Sequence, residues 1–145
     1  MSVDKPCPKP KLWLRVLIAD GSIAVNRELT AWLSELDGIT VFGCAQEPAK
    51  VLALVEATRP DVVVVDLETA GPAGMRILKR ITGLPRPPVV ILLSHYNVAA
   101  LREVARAAGV NHFLIKTKGL EQLRALLDDL QRAKRGRELV GAVAE

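Results

Sequence analysis

The chain has 145 residues, of which 50% are apolar and 25% are charged, and its formal net charge is +4. That much apolar material can form one compact domain with a buried core, whereas no apolar run approaches the ~20 residues of a membrane-crossing helix. Aromatic residues make up only 3% of the chain and the basic residues are dispersed, so we expect no membrane contact and no direct nucleic-acid binding by this domain.

The two ends of the chain are predicted to lie outside the folded domain. Residues 1–10 contain three prolines and two lysines but no apolar stretch, which is typical of a disordered tail rather than of a secretory signal. Residues 136–145 are interpreted as a short C-terminal tail, which leaves residues 11–135 as the domain. Cys7 and Cys44 match neither a metal-binding spacing nor a disulfide framework, so a reduced, cytoplasmic protein is expected.

Five apolar runs predict β-strands, and helical patterns fill the gaps between them. Several runs are continuously apolar rather than alternating, as in parallel strands that are buried on both faces. The strict alternation of strand and helix therefore predicts an α/β fold with a parallel sheet between two layers of helices. The predicted strands are residues 14–19, 39–44, 62–66, 89–93 and 112–115, and the predicted helices lie between Ser22 and Gly38, from Pro48 to the residue before Pro60, over 73–81, between Asn97 and Gly109, and over 120–135.

A polar residue ends or directly follows four of these strands: Asp20, Asp66, Ser94 and Lys116. Right-handed crossovers bring the carboxyl ends of parallel strands to one edge of the sheet, so we expect the four residues to meet there. Two close carboxylates are tolerated around a hard cation such as Mg²⁺, and a carboxylate can also accept a phosphoryl group as a nucleophile. A hydroxyl and an ammonium group beside them can hold that phosphoryl group, although Ser94 alone fits equally well as a hydroxyl that satisfies backbone groups.

With these residues the chain resembles the receiver domains of bacterial two-component response regulators, of the chemotaxis-regulator type, over about residues 12–132. The resemblance implies a flavodoxin-like, doubly wound sheet of five parallel strands in the order 2-1-3-4-5. It also implies that Asp66 is the phosphoryl acceptor, that Asp20 is a metal ligand, and that Ser94 and Lys116 complete the site. Gly74 matches the glycine of the loop after the acceptor, and Phe113 matches the aromatic residue that the family uses as a switch.

Three residues depart from the family pattern. Gly21 replaces an acid that ligates the metal, which should weaken Mg²⁺ binding at Asp20 and Asp66. Thr117 replaces a proline, usually cis, that follows the lysine, and Ala70 replaces another common proline. Glu68 occupies the position where the family uses a backbone carbonyl as a metal ligand, and our hypothesis is that its carboxylate partly restores the missing charge.

The resemblance implies a signalling role and no enzymatic activity of the domain's own. A sensor histidine kinase or a phosphotransfer protein would donate a phosphoryl group to Asp66, and the switch would alter binding of an output protein or a second copy. The surface of helix 4, strand 5 and helix 5 is the expected interface, although ordinary solvation of its charged residues is at least as good an interpretation. One alternative is a phosphorylation-independent pseudo-receiver, suggested by Gly21; a flavodoxin-type or phosphatase-like enzyme is disfavoured because no glycine-rich phosphate loop is present.

Overall fold

The computed structural model describes residues 13–19, 23–45, 47–94 and 99–144, apart from the side chains of 23–26, 42–45, 48, 67–73, 116–120 and 138–144. Five strands form one parallel sheet in the order β2-β1-β3-β4-β5, which confirms the predicted fold. The elements, in chain order, are β1 (Leu14–Ala19), α1 (Ile23–Ser34), β2 (Ile39–Ala45), α2 (Pro48–Thr58), β3 (Val62–Asp66), α3 (Leu67–Thr82), β4 (Val89–Ser94), α4 (Ala99–Ala107), β5 (His112–Ile115) and α5 (Lys116–Ala144).

The central strand β3 explains why the sheet is covered on both faces. Successive side chains of a strand point to opposite faces, so a run of four valines must be buried from both sides. Val63 and Val65 pack into the core that α2, α3 and α4 cover, whereas Val62 and Val64 pack into the core that α1 and α5 cover. All four are almost completely buried, which fixes β3 in the middle of the sheet.

A glycine with a positive φ angle follows each of two helices. Gly109 lies two residues after the end of α4, whereas α1 ends at Ser34, four residues before the Gly38 that the sequence suggested as its stop. Gly38 and Gly109 have φ angles of +81° and +85°, which residues with a Cβ rarely adopt. Space is also short at Gly109, where an added Cβ would lie 2.7 Å from Oγ1 of Thr82. That hydroxyl donates a hydrogen bond of 2.8 Å to the carbonyl oxygen of Ala108, so α3 and the end of α4 are held together at this point.

The predicted third helix is wrong at its beginning. We expected a loop over 67–74 and a short helix over 73–81, but α3 starts at Leu67, directly after the last residue of β3. Ala70, where the family often has proline, is a strong helix former and allows the helix to begin early. Pro72 is the sixth residue of α3 and offers no N–H to the carbonyl of Glu68, so the helix continues through a residue that helix interiors usually exclude.

The predicted fifth helix is too short at both ends. It was expected over 120–135, followed by a tail over 136–145, but α5 begins at Lys116 and continues to Ala144. Gly136 is the first residue of the predicted tail, yet one glycine inside a helix costs only about 1 kcal/mol and good helix formers follow it. An added Cβ at Gly136 would meet nothing within 4 Å, so α5 has open space on this side of Gly136.

Smaller differences concern strand ends and helix caps. β2 and β4 each extend one residue beyond the predicted ends, to Ala45 and Ser94. The proposed N-caps of the first and fourth helices, Ser22 and Asn97, lie outside the described residues. Although α5 has 29 residues, none of the helices in the described part of the chain has the length and apolarity that crossing a membrane requires.

Candidate functional site

Asp66 is the last residue of β3 and is only 6% exposed. Among the residues with described side chains, Asp66 and Ser94 are the buried polar or charged ones. Burying a carboxylate is expensive unless cations or hydrogen-bond donors compensate its charge. The preceding valines hold this carboxylate at the carboxyl end of the sheet's central strand, where the crevice of a doubly wound fold lies.

The sheet register brings Ser94 to the same edge. Asp66 pairs with Leu93 of β4, so Ser94 lies one residue further along the neighbouring strand, and neighbouring strands are about 4.8 Å apart. Ser94 is completely buried and pairs with Ile115 of β5. Lys116 follows Ile115 directly as the first residue of α5, so the backbone places it at this edge too.

The structure does not test the remaining predicted site residues in full. Asp20 and Gly21 lie outside the described residues; the last described pair between β1 and β3 is Ala19 with Val65, each one residue before an aspartate. Glu68 is the second residue of α3, but the side chains of Glu68 and Lys116 are not among those that the structure describes. Within the side chains that are described, no group of three or more metal-ligating residues comes together.

A comparison with protein families identifies this arrangement. The model of the response regulator receiver domain matches residues 16–128. The chain belongs to this family. The match covers β1 through most of the domain-packed part of α5, including Asp66, Ser94 and Lys116.

Solved receiver domains have the same fold. The response regulator domain of CheB from Thermotoga maritima is 25% identical, with a TM-score of 0.66 and coverage of 86% of this chain and 95% of that one. The signal receiver domain of NarL from Mycobacterium tuberculosis is 27% identical, with a TM-score of 0.73 and coverage of 82% and 97%. Both likenesses extend over nearly the whole of the solved domains.

A relative from Koribacter versatilis, named protein-glutamate methylesterase/protein-glutamine glutaminase 2, is 32% identical over 117 residues. The match covers 81% of this chain but 32% of that protein. The chain spans about a third of the length of the first curated relatives that it matches. It therefore corresponds to their receiver part, and the hydrolase activities in their names are properties of the whole relatives.

In this receiver domain, the predicted switch aromatic, Phe113 of β5, contacts a residue of α4. The guanidinium carbon of Arg102 lies 4.8 Å from the ring centroid of the half-buried Phe113, a distance typical of a cation–π contact. Sequence reasoning alone does not reveal this pair, because such a contact depends on how a helix is placed over a strand. On the same helix, Val104 is 53% exposed, so an apolar side chain lies on the surface of α4.

Two charged residues of α4 neutralise each other. Arg106 donates a hydrogen bond to Glu103, and the two side chains, 77% and 66% exposed, also form an ion pair. This hydrogen bond and the positive charge of Arg106 lower the pKa of the Glu103 carboxyl below its ordinary value. The pair is a solvated contact within one helix, so it gives no specific support to a partner interface.

A second polar cluster lies at the opposite, amino edge of the sheet, and sequence reasoning missed it. Asp61 precedes β3, and its Oδ2 accepts hydrogen bonds from the backbone N–H of Arg15 at 2.8 Å and from Nζ of Lys134 at 2.7 Å. Nζ of Lys134 also donates to the carbonyl oxygen of Trp13 at 3.0 Å. The cluster therefore fastens the distal half of α5 to the beginnings of β1 and β3.

Proposed function

We propose that this receiver domain works as a phosphorylation switch in which Asp66 accepts a phosphoryl group from a sensor histidine kinase or a phosphotransfer protein. The observation that carries the proposal is a buried carboxylate at the end of the central strand, next to the strand that ends on Ser94. An oxygen of Asp66 would attack the phosphorus of a phosphohistidine. A P–O bond forms, the P–N bond breaks, and the released imidazole nitrogen keeps the electron pair and takes up a proton.

The other predicted residues would stabilise the charge of the transferred group. The hydroxyl of Ser94 is suited to donate a hydrogen bond to a phosphoryl oxygen, and Lys116 would contribute a positive point charge. Asp20, Asp66 and Glu68 are the oxygen donors that would hold Mg²⁺, which receiver domains generally bind. The ion would supply positive charge that offsets the repulsion between the carboxylates and the phosphoryl oxygens. Gly21 would make this binding weaker than in a receiver with two adjacent acids.

The response to phosphorylation would be read at the surface formed by α4, β5 and α5. The contact between Arg102 and Phe113 and the exposed Val104 support this choice, because they place an aromatic, a cation and an apolar side chain on adjoining elements. An output protein or a second copy of the chain would bind there. By analogy with the curated relatives, the output could be a hydrolase domain, and we infer a cytoplasmic location from the cysteine content.

The decisive test is phosphorylation by a small donor. The chain is incubated with acetyl phosphate and Mg²⁺, and its intact mass is compared with that of an Asp66→Asn variant. We expect one phosphoryl adduct on the wild type and none on the variant. If no adduct forms on the wild type at any Mg²⁺ concentration, the switch proposal fails and the phosphorylation-independent interaction module replaces it.

A further inference from the structure

A groove of about 880 Å³ opens at the amino edge of the sheet, on the opposite side of the domain from Asp66. Its walls are the end of α2, the connection between α3 and β4, and the distal half of α5. We propose that this groove binds an extended segment of a partner protein that carries both carboxylates and apolar side chains. The groove is lined by Leu14, Val55, Glu56, Arg59, Pro60, Asp61, Val62, Leu84, Pro85, Arg86, Pro87, Pro88, Val89, Leu130, Lys134 and Arg137.

The floor of the groove is held in place by hydrogen bonds and carries no net charge. Asp61 and Lys134 form an ion pair of 2.7 Å, and their side chains are only 29% and 12% exposed. The backbone of Asp61 is also fixed on two sides, because its N–H donates to Arg15 and its carbonyl accepts from the N–H of Val89, both at 2.9 Å. The floor is therefore pre-organised, which reduces the entropy lost when a ligand binds.

The rim of the groove is positively charged. With Asp61 and Lys134 paired, the remaining charges of the lining are three guanidinium groups, on Arg59, Arg86 and Arg137, and one carboxylate, on Glu56. All three arginines are exposed, and none of them forms an ion pair among the residues that the structure describes. Because guanidinium groups bind carboxylates in a bidentate manner, this rim complements an acidic ligand.

The walls of the groove favour a protein segment over a nucleic acid. Ten of the sixteen lining residues are apolar, and those with surface available to a ligand include Leu84, Pro85, Pro87 and Leu130. No aromatic residue lines it, so bases would find no stacking platform. Proline-rich connections have few accessible conformations, which suits a preformed surface for apolar side chains.

The chain's own N-terminal segment is an unsuitable occupant. Residues 1–12 contain Lys5, Lys9 and Lys11 but only one acid, Asp4, so the rim would repel them. The occupant must instead bring negative charge of its own. The chain's own N-terminus is therefore disfavoured, and an acidic segment of a partner protein is the occupant that the rim complements.

The test uses a fluorescein-labelled peptide of the sequence Glu-Leu-Glu-Pro-Leu-Glu and the full chain, with binding followed by fluorescence anisotropy. The variant Arg86→Glu/Arg137→Glu reverses two rim charges. The control, Arg27→Glu/Arg124→Glu, reverses two exposed charges on α1 and α5 and changes the net charge equally. We expect the dissociation constant to rise at least about tenfold in the rim variant and less than about twofold in the control. Circular dichroism confirms that both variants are folded.

Three results would overturn the proposal. Equal losses in the rim variant and the control would mean that the peptide senses only net charge. Tighter binding of an oligonucleotide with the same number of charges would assign the groove to nucleic acid. Stronger peptide binding after deletion of residues 1–12 would mean that the chain's own N-terminus occupies it. Unchanged binding by Asp66→Asn is expected, because the groove lies at the other edge of the sheet, and this separates the proposal from the phosphorylation switch.

Discussion

Two aspartates lie at opposite ends of β3, Asp61 directly before the strand and Asp66 as its last residue, and their surroundings differ. Asp61, at the amino edge, has a backbone N–H and a lysine as partners, and it joins β1, β3 and α5. Asp66, at the carboxyl edge, is more deeply buried and lies beside a strand that ends on Ser94. Asn111, which precedes β5, resembles Asp61, because its Oδ1 accepts from the N–H of Val90 at 2.8 Å. Polar residues before strands in this domain are structural, whereas those after strands are candidates for chemistry.

The largest expected effect comes from replacing the carboxylates at the two ends of β3, one at a time, by amides. Asp66→Asn should abolish the phosphoryl adduct completely, because an amide nitrogen or oxygen is not the required nucleophile. Asp61→Asn should leave the adduct in place and lower the melting temperature instead, since the amide weakens the contact with Lys134. Mass spectrometry and thermal denaturation of both variants measure the two effects. Loss of the adduct in Asp61→Asn would break the distinction between the two edges.

The lysines Lys116 and Lys134 provide a second comparison. Lys134→Ala leaves the partly exposed Asp61 without its cation and should cost roughly 1–3 kcal/mol in the free energy of unfolding. Lys116→Ala should change stability little but slow phosphorylation at least about tenfold, because it removes the positive charge that would stabilise the phosphoryl oxygens. Urea denaturation and adduct formation over time provide the measurements.

A matched control for these lysines is Lys50→Ala. Nζ of Lys50 lies 4.0 Å from a carboxylate oxygen of Glu47, and both side chains are 70% exposed. Removal of this pair should therefore change the free energy of unfolding by close to zero. A cost for Lys50→Ala as large as that for Lys134→Ala would contradict a special structural role of the amino-edge cluster.

Metal affinity gives a smaller effect that sharpens the description of the carboxyl edge. Gly21→Asp should tighten Mg²⁺ binding by roughly tenfold, because it adds a carboxylate next to Asp20. Glu68→Gln should weaken binding by roughly threefold if its carboxylate compensates for Gly21. Calorimetric titration of the wild type and both variants with Mg²⁺ provides the dissociation constants. Unchanged affinity in Glu68→Gln would show that this side chain does not take part.

The smallest effect is expected at a site that belongs to neither edge. Arg106 lowers the pKa of Glu103, so the stabilisation by this pair is fully present above the ordinary value of 4.5 and is lost as the pH falls through the lowered folded-state pKa. Because both side chains are well exposed, solvent screens the pair strongly. Glu103→Gln should therefore have a melting temperature indistinguishable from that of the wild type at pH 7. A clear decrease would mean that α4 depends on this contact.

The sequence could predict the sheet because a continuous apolar run such as residues 62–65 is typical of a strand that is buried on both faces. The edge that holds Asp66 and Ser94 followed from the same alternation, because parallel strands all end on one side. Helix ends were less predictable: Leu67 and Gly136 lie where local signals are weak and the surrounding helix formers decide. The pairing of Asp61 with Lys134 spans 73 positions of the chain, so only the packed fold reveals it.

One continuous helix connects the two edges. From Lys116 to Lys134, α5 advances by 18 residue steps, which corresponds to about 27 Å at ~1.5 Å per step. Nζ of Lys134 bonds Asp61 and the carbonyl oxygen of Trp13, so the amino edge of the sheet holds this point of the helix. The first residue of the same helix, Lys116, lies at the edge of the acceptor. A displacement of Lys116 would therefore tilt α5 about the amino-edge cluster as a pivot.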